Sequence, residues 1–461
     1  MATSIKSLNL PESPPIYKLI GPSIILLGLG LGSGELILWP YLVSKYGLGI
    51  IWAAIIGITM QFFINMEIER YTLAKGESVF VGFSKLFRFA PYWFIFSTFI
   101  AWFWPGIIAT SAKIFSSLLG IENFQYVGIA ALLLIGLILS LGKSLYKTVE
   151  SFQKILILVG LPIITFITLM IAKSSDYSAL RAGIIGIGDG YRFLPQGIDL
   201  FVLLGALAYS GAGGNLNLAQ SFYIKEKGYG MCKGSTGIQS LLFGKSKRLS
   251  LEGKTFTLNE KNISTFSKWW KLVNLEHLLV FLVTGAITIL ILALLSYSSV
   301  YGEGTTHSGI KFIEVQAQTI MTQFSPVFST LFLVFVSLML FGTQLTVLDS
   351  TSRIISENIA IIERKSRLST VYYSVVWLQI VTGVIVFLSG YGDPITLVLI
   401  GAVINALAMA CHIIMTYFLN NRALDKKIAP SLARKIIILT SFAIFVVLFT
   451  LSFLDAIKKM F

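Results

Sequence analysis

Cysteine, histidine and charged residues are scarce in this sequence. Its 461 residues include two cysteines, too few for a disulfide framework or a thiolate metal cluster. Asp, Glu, Lys and Arg make up only 13% of the chain, whereas 55% of it is hydrophobic and the mean hydropathy is +0.80. Soluble domains carry about twice that fraction of charge. The composition therefore excludes an ordinary soluble protein and indicates a chain embedded in a membrane.

The motifs of several large functional classes are also missing. The sequence has no phosphate-binding loop for ATP, no nucleic-acid recognition motif and no constellation of catalytic side chains. Segment 1–17 lacks the basic region, short apolar core and cleavage site of a secretory signal, so we expect it to be a cytoplasmic N-terminal tail. We therefore expect no enzyme, no cofactor and no nucleic-acid partner.

Apolar segments long enough to cross about 30 Å of hydrocarbon recur along the whole chain. They predict an all-α integral membrane protein, inserted among membrane lipids, with about eleven transmembrane helices. The predicted spans are 18–44, 48–73, 91–118, 124–142, 152–173, 199–221, 272–297, 326–356, 369–389, 394–419 and 434–456.

Lys and Arg are distributed unequally between the predicted loops. If the N-terminus is cytoplasmic, most of the 36 Lys and Arg residues lie on the cytoplasmic side, where positive charge is retained. We therefore predict a cytoplasmic N-terminus and an external C-terminus. The long basic loop 225–271 is then cytoplasmic, and the alternation within 247–259 predicts a β-hairpin. The net charge of +14 suits anionic lipid headgroups.

The first span is interrupted at its centre. It contains four alternate glycines, a carboxylate and a proline, which are Gly28, Gly30, Gly32, Gly34, Glu35 and Pro40. Glycine weakens a helix and proline removes one of its hydrogen bonds, while a carboxylate at bilayer depth indicates a functional site. The alternative is that the glycines only allow close helix packing and that Glu35 points into a polar vestibule.

The sixth span repeats this interruption. Segment 209–215, Tyr-Ser-Gly-Ala-Gly-Gly-Asn, is a small-residue run that ends in a polar side chain, as 32–35 does. Interrupted helices at matching places in two halves are typical of inverted-repeat transporters with a substrate site at the bilayer midplane. The chain then divides into a first five-helix repeat, 18–173, a second, 199–419, which includes loop 225–271, and an additional eleventh helix with the external C-terminus, 434–461.

Unwound helix frees backbone carbonyl and amide groups, which persist within a membrane only where they face a cavity, a cation or a substrate. Freed carbonyls and a carboxylate together form an oxygen-rich cation site. The candidate binding residues in the two interruptions are Ser33, Glu35, Tyr209, Ser210 and Asn215. The sequence thus predicts a secondary transporter of a small solute, most simply a cation, that works by alternating access.

The two interruptions resemble those of the Nramp family of divalent-metal transporters. The resemblance rests on Gly21-Pro22, on the glycine-rich break with Glu35, Pro40 and Tyr46-Gly47, and on the segment 203–206 that enters the sixth break. It implies the leucine-transporter-like fold of five-plus-five inverted repeats with broken helices 1 and 6 and an added eleventh helix. It also implies transport of a divalent metal ion.

This chain departs from the metal-binding motifs of that family. The Asp-Pro-Gly-Asn signature is here Gly32-Ser33-Gly34-Glu35, and the Met-Pro-His segment is Tyr209-Ser210-Gly211. The resemblance leaves Glu35, with backbone carbonyls near Gly32 and Ala206, as metal ligands. Oxygen ligands favour hard ions, so Mg²⁺ or Mn²⁺ is the expected substrate, with Glu35 a candidate for a coupling proton. The alternative is a carrier of amino acids or other organic solutes, in which Glu35 holds an ammonium group.

Other polar residues of the predicted spans are candidates for ion coupling or gating. They are Gln344, Asp349, Arg353, His277, Asn405 and His412. Asp349 and Arg353, four residues apart on a helix, predict either a proton path or a salt bridge at the cytoplasmic helix end. His277 either gates protons or is solvated. Asn405 and His412, two turns apart, predict interhelical hydrogen bonds or a proton relay.

Overall fold

A computed structural model describes residues 8–142, 144–235, 238, 251–302, 309–364, 367–390 and 393–460. Ten helices of this part of the chain are long and apolar enough to cross a membrane. Spans 1 to 5 are Pro22–Tyr46, Leu48–Lys75, Ala90–Leu119, Phe124–Leu141 and Leu145–Ile171, and spans 7 to 11 are Glu260–Val300, Pro326–Ile362, Leu368–Leu388, Pro394–Ala423 and Leu432–Asp455.

The one predicted span that is missing from these ten helices is span 6, which is broken into shorter pieces. It consists of the α-helix Leu200–Ala208, the 3-10 helix Gly214–Ala219 and the α-helix Gln220–Lys227. Each piece is shorter than the roughly 20 residues that a membrane span needs, so span 6 crosses the bilayer only as a composite. The predicted number of spans is confirmed.

Several spans change their helix type along their length. Span 1 is α-helical over Pro22–Gly30 and Trp39–Tyr46, and its interruption is the π-helix Leu31–Leu38. The other spans that change type are span 2, with Leu48–Ile50 (3-10) and Ile51–Lys75, span 5, with Leu145–Ile155, Leu156–Gly160 (π) and Leu161–Ile171, and span 7, with Glu260–His277, Leu278–Val283 (π) and Thr284–Val300. Span 3 consists of two α-helices, Ala90–Trp102 and Gly106–Leu119. π-Helical turns occur frequently at functional sites.

Short elements connect the spans. They are Ile16–Lys18, Val79–Leu86, Ser174–Ile184, Gly230–Cys232, Lys311–Gln323 and the strands β1 (Ile187–Gly188) and β2 (Tyr191–Arg192). The two strands form an antiparallel hairpin in which Gly188 pairs with Tyr191. The Tyr191 hydroxyl donates to the carbonyl of Tyr46 at 2.7 Å, so this hairpin caps the C-terminal end of span 1.

Span 7 begins well inside the loop predicted at 225–271. Glu260 opens the helix because the Asn259 side chain accepts a hydrogen bond from the amide of Asn262, an N-cap. The first residues of the predicted hairpin, 247–250, lie outside the described part of the chain. Within 251–259, Phe256 forms a parallel bridge with Leu8 of the N-terminal tail rather than with a strand of its own loop.

Span 1 lies in the centre of the helix bundle. All of its most apolar 18-residue window is buried, against 22% of that of span 11. A helix that is apolar on every side is buried in this way. The interruption of span 1 is therefore surrounded by protein on all sides, and span 11 lies at the periphery.

Two of the alternate glycines of span 1 pack against the break in span 6. A Cβ atom built on Gly34 lies 1.7 Å from the carbonyl oxygen of Tyr209, and one on Gly30 lies 3.0 Å from the backbone of Gly211. Because these residues are four apart, they lie on one helix face. The two interrupted helices thus approach each other backbone to backbone at this face.

The other two glycines pack against spans 5 and 8. A Cβ on Gly28 lies 2.2 Å from the Gln153 side chain, and one on Gly32 lies 2.5 Å from the Thr343 side chain. The Thr343 hydroxyl also donates to the Gly28 carbonyl at 2.8 Å. The alternation in sequence therefore encodes two close-packed faces, as the packing alternative for these glycines requires.

The substitution Gly34→Ala is expected to destabilise the protein by about 3 kcal/mol or more, since its Cβ meets a backbone oxygen that no rotamer change can move. Thermal unfolding of the purified protein measures this effect. Gly160→Ala is the matched control, because its Cβ lies 3.2 Å from Phe335 and 3.4 Å from Met339, whose side chains can shift. Equal melting temperatures for the two variants contradict the packing assigned to Gly34.

Candidate functional site

The break in span 6 is a turn made possible by glycine. The α-helix ends at Ala208, and the chain resumes as the 3-10 helix Gly214–Ala219. Gly213 and Gly214 have φ angles of 78° and 54°, in the left-handed region that residues with a side chain rarely adopt. The two glycines thus allow the chain to leave one helix and enter the next within five residues.

Gln61 of span 2 binds the backbone groups that the break frees. Its Nε2 donates to the carbonyls of Ala208 at 3.0 Å and Leu207 at 3.3 Å, and its Oε1 accepts from the amide of Gly213 at 3.3 Å. A single buried amide therefore bridges both sides of the break. The sequence analysis did not select Gln61. The signal available was a polar residue within an apolar span, four residues before Asn65 and eight before Glu69.

Ser210 closes the end of the first half of span 6. Its hydroxyl donates to the Ala206 carbonyl at 2.9 Å and accepts a hydrogen bond from the Trp39 indole at 3.1 Å. The Ala206 carbonyl, predicted as a ligand, is therefore satisfied within the protein in this conformation. A carbonyl oxygen has two lone pairs, so this hydrogen bond occupies one of them.

Tyr209 and Asn215 face spans 3 and 10. The Tyr209 hydroxyl accepts a hydrogen bond from Asn405 at 2.9 Å, and its ring stacks on Trp102 with centroids 5.3 Å apart. Asn215 donates to the hydroxyls of Ser97 at 2.8 Å and Thr98 at 2.9 Å. Asn405 thus makes an interhelical hydrogen bond, and both side chains of the break line its side towards span 3.

Glu35 lies in the π-helical part of span 1 without a partner. Its side chain is completely buried, and neither carboxylate oxygen has a hydrogen-bond partner among the described residues. The hydroxyl of Ser33 is likewise buried and unpartnered. Nearly all buried polar groups in proteins are hydrogen-bonded. A carboxyl group in such a place therefore needs a proton or a cation to neutralise it.

The Glu35 side chain points towards span 7. A Cβ built on Gly285 of span 7 lies 3.6 Å from its Oε1, 2.5 Å from Ile58 and 3.2 Å from Leu27. Ile58 and Leu27 are apolar and contact the same point of span 7. Gly34, the chain neighbour of Glu35, is the residue that faces the break in span 6.

Asp349 and Arg353 form the salt bridge that their spacing predicts. Arg353 Nε lies 2.9 Å from both carboxylate oxygens, and the Asp349 carboxylate also accepts from the hydroxyls of Tyr372 at 2.7 Å and Tyr223 at 3.2 Å. Arg353 pairs in addition with Glu226 of span 6. The pair is completely buried, and it connects spans 6, 8 and 9.

The remaining candidates are buried at separate places. Gln344 follows Thr343, the residue of span 8 that contacts span 1. His277 is completely buried and lies 2.8 Å from the Ser23 hydroxyl, so it is not solvated. His412 is completely buried in span 10, two turns beyond Asn405. Of the candidates for coupling or gating, Asn405 is the one for which a hydrogen bond to the break in span 6 is seen.

Glu35 is the single acidic side chain of the candidate binding residues. In the part of the chain that the structure describes, no three His, Cys, Asp or Glu side chains form a group suited to a metal ion. The other ligands available beside Glu35 are therefore hydroxyl and backbone oxygens of the two interruptions and the unpartnered Oδ1 of Asn215. Such a ligand set is hard in character.

Comparison with known proteins places this architecture among solved transporters. No family model and no curated protein matches the chain. Several mutant structures of the manganese transporter of Eremococcus coleocola share its fold with a TM-score of 0.71 and 14% identity, covering 98% of this chain and 90% of that one. That transporter in complex with an aromatic bis-isothiourea compound gives a TM-score of 0.70, again at 14% identity and the same coverage.

Two further structures share the fold less closely. MhsT in complex with L-phenylalanine has a TM-score of 0.52 at 13% identity and covers 97% of this chain and 100% of its own. MHP1, a nucleobase-cation-symport-1 family transporter, has a TM-score of 0.52 at 10% identity, covering 98% and 95%. These likenesses confirm the fold implied by the Nramp resemblance, an all-α membrane protein of the leucine-transporter-like class with an interrupted span 1 and a broken span 6.

The substitution Gln61→Leu is expected to destabilise the folded protein strongly, because it leaves the Ala208 carbonyl and the Gly213 amide without the partner that Gln61 provides, at a cost of about 1–3 kcal/mol each. Thermal unfolding in detergent measures the loss. Gln318→Leu is the control, since that side chain is exposed on Lys311–Gln323. A Gln61→Leu variant as stable as this control excludes the bridging role of Gln61.

Proposed function

We propose that this protein is a secondary active transporter of a small cation, most simply a divalent metal ion, that works by alternating access. One observation carries the proposal, namely the unpartnered and completely buried Glu35 carboxyl on the interrupted part of span 1. The residue beside it, Gly34, contacts the break in span 6. A carboxylate in this position attracts cations, and the fold is shared with a manganese transporter.

The ligand chemistry supports Mg²⁺ or Mn²⁺ as the substrate. The groups that would hold the ion are the Glu35 carboxylate, the Ser33 hydroxyl and backbone carbonyls near Gly32 and Ala206, with Tyr209, Ser210 and Asn215 around them. All of these ligands are oxygens, which hard divalent ions prefer. The Ala206 carbonyl accepts one hydrogen bond from Ser210, which leaves its second lone pair for the ion.

Proton coupling fits the same carboxyl group. Glu35 without a cation needs a proton for neutrality, so a metal ion and a proton would exclude each other there. The buried Asp349–Arg353 pair, Gln344 and His412 are candidates for gating. In this mechanism the partners of the protein are a transported metal ion, protons and the membrane lipids around its helices.

An organic-solute carrier is the second candidate function. The stacked rings of Trp102 and Tyr209 and the amides of Asn215 and Asn405 form an aromatic and amide-rich wall on the span 3 side of the break. Such a wall suits an amino acid, whose ammonium group Glu35 would bind. MhsT, which shares the fold at a TM-score of 0.52, is described in complex with L-phenylalanine.

Uptake into proteoliposomes tests the cation proposal. We expect the wild type to take up Mn²⁺ or Mg²⁺, and Glu35→Gln to reduce this uptake about tenfold or more, a loss of about 1.4 kcal/mol in binding. Glu314→Gln, at an exposed carboxylate of Lys311–Gln323, is the control and should retain uptake. If the protein takes up L-phenylalanine but neither metal ion, it is an organic-solute carrier and the cation proposal is wrong. Unchanged uptake by Glu35→Gln removes Glu35 from the site.

Cysteine labelling tests the proposed topology, with the N-terminus inside and the C-terminus outside. Thr255→Cys in the long basic loop should react with an impermeant maleimide only in permeabilised cells, whereas Ser178→Cys after span 5 should react in intact cells; both positions are exposed. Native background should be low, because Cys411 lies within span 10 and burial raises the pKa of the Cys232 thiol to about 12. Labelling of Thr255→Cys in intact cells, with Ser178→Cys reacting only after permeabilisation, would show the opposite orientation in the membrane.

A further inference from the structure

One face of span 2 is left uncovered by the rest of the helix bundle. Apart from Lys75 at its end, the residues of Ile51–Lys75 that are not buried share one stripe of the helix: they are Trp52, Ile55, Ile56, Thr59 and Phe63. The Thr59 hydroxyl donates to the Ile55 carbonyl at 2.7 Å, so its one hydrogen is used within the helix. The stripe is therefore an apolar surface about 16 Å long, which matches the depth of one leaflet of a bilayer.

Spans 7 and 11 pack on span 2 on either side of this stripe. On one side, the Phe62 ring stacks on the imidazole of His277 in span 7, with centroids 5.6 Å apart. On the other side, the Arg434 guanidinium of span 11 lies 5.3 Å from the centre of the Phe63 ring and 3.2 Å from the Glu67 carboxylate. The stripe is thus the floor of a groove between spans 7 and 11, called here the span 2 groove.

One end of the span 2 groove holds two arginines and one carboxylate. Glu67 binds Arg70 Nε at 2.9 Å and Arg434 Nη1 at 3.2 Å. Both guanidinium groups also lie over the ring of Trp270, at 3.8 and 4.8 Å from its centre. No other carboxylate among the described residues forms a salt bridge with either arginine. This arginine cluster, Arg70, Arg434 and Glu67, therefore carries one excess positive charge.

Arg434 is the member of the arginine cluster that has room for a ligand. Its Nη1 donates to Glu67 and its Nη2 to the side chain of Asn274, which uses two of the five N–H groups of the guanidinium. Its side chain is 17% exposed, against 5% for that of Arg70. A guanidinium binds a phosphate group through parallel N–H bonds. The N–H groups of Arg434 that remain therefore suit an anionic head group at the end of the groove.

Lysines add positive charge around the arginine cluster. Four of them are exposed or partly exposed and follow or precede residues that contact the cluster, namely Lys271, Lys426, Lys427 and Lys435. Ile428, which comes directly after two of these lysines, accepts a hydrogen bond from Arg70 at 3.0 Å. Asp425 is the acidic residue of the same turn, so the lysines outnumber it. The surface at this end of the groove is therefore basic.

We propose that the span 2 groove binds an anionic phospholipid of the cytoplasmic leaflet. The phosphate lies against Arg434 and Lys271, and one acyl chain lies along Phe63, Thr59 and Ile56. The apolar stripe runs directly into the basic end, and this continuity favours a lipid over a free phosphate ion, which needs no apolar surface. Anionic lipids are concentrated in the cytoplasmic leaflet, where the proposed topology places this end of the groove. The site is independent of the solute that the protein transports.

Lipid retention by the purified protein tests this site. With equal amounts of phosphatidylglycerol and phosphatidylcholine in a neutral detergent, we expect native mass spectrometry to show a retained phosphatidylglycerol. Arg434→Gln should weaken this retention about fivefold, a change of about 1 kcal/mol for one basic residue at an anionic surface, while Glu67 keeps its bond to Arg70. Lys271→Gln should also weaken it.

Lys311→Gln is the matched control for charge, because this exposed lysine begins Lys311–Gln323, away from the groove. It should retain phosphatidylglycerol as the wild type does. Equal retention of the two lipids by the wild type overturns the proposal. Unchanged retention of phosphatidylglycerol by both Arg434→Gln and Lys271→Gln overturns it as well.

Filling the groove provides a second test that leaves every basic residue in place. Ile56→Trp should reduce the retention of phosphatidylglycerol, whereas Leu133→Trp on span 4 should not, although the two side chains are similarly exposed at 41% and 43%. If Ile56→Trp retains the lipid and inorganic phosphate displaces it, the basic end binds a free anion and the groove is not a lipid site. A dimer in detergent that Ile56→Trp dissociates assigns the groove to a second copy of the chain instead.

Discussion

The structure depends on one constraint, which is that backbone polar groups cannot remain unpaired at the depth of the membrane. A continuous helix normally meets this constraint by pairing its own backbone groups. Span 6 is not continuous, and side chains of neighbouring residues pair the groups that its break leaves free. Gln61 binds carbonyls before the break and an amide after it, and Ser210 binds the Ala206 carbonyl. The break is therefore a fixed feature of the folded chain, maintained by neighbouring helices.

Span 1 meets the same constraint in another way. Its interruption is a π-helix, which keeps its backbone groups within the helix while altering the direction of the side chains. The alternate glycines bring this helix into contact with spans 5, 6 and 8, where any larger residue collides. Polar side chains left without partners under these conditions, above all Glu35, are costly to the fold, and this cost is the reason for the proposal that Glu35 binds a cation.

The buried acidic groups are distributed according to these contacts. Asp349 is neutralised by Arg353 and accepts hydrogen bonds from two tyrosine hydroxyls, so it stabilises the contacts among spans 6, 8 and 9. Glu35 has no such partner, and Glu69 and Glu276 have only polar ones. The structure thus separates a paired charge from those that remain available to a cation or a proton.

The sequence by itself determined the eleven spans, the two interruptions and the buried carboxylate, because hydropathy, glycine and proline act locally along the chain. It also predicted the pairing of Asp349 with Arg353, since their spacing brings them together on one helix. Only the tertiary structure decided that Glu35 points towards span 7, that Gln61 bridges the break in span 6, and that Ser23 of span 1 is hydrogen-bonded to Glu276. Those contacts join residues from different spans, whose relative rotation depends on the packing of the whole bundle and leaves no periodic signal in the sequence.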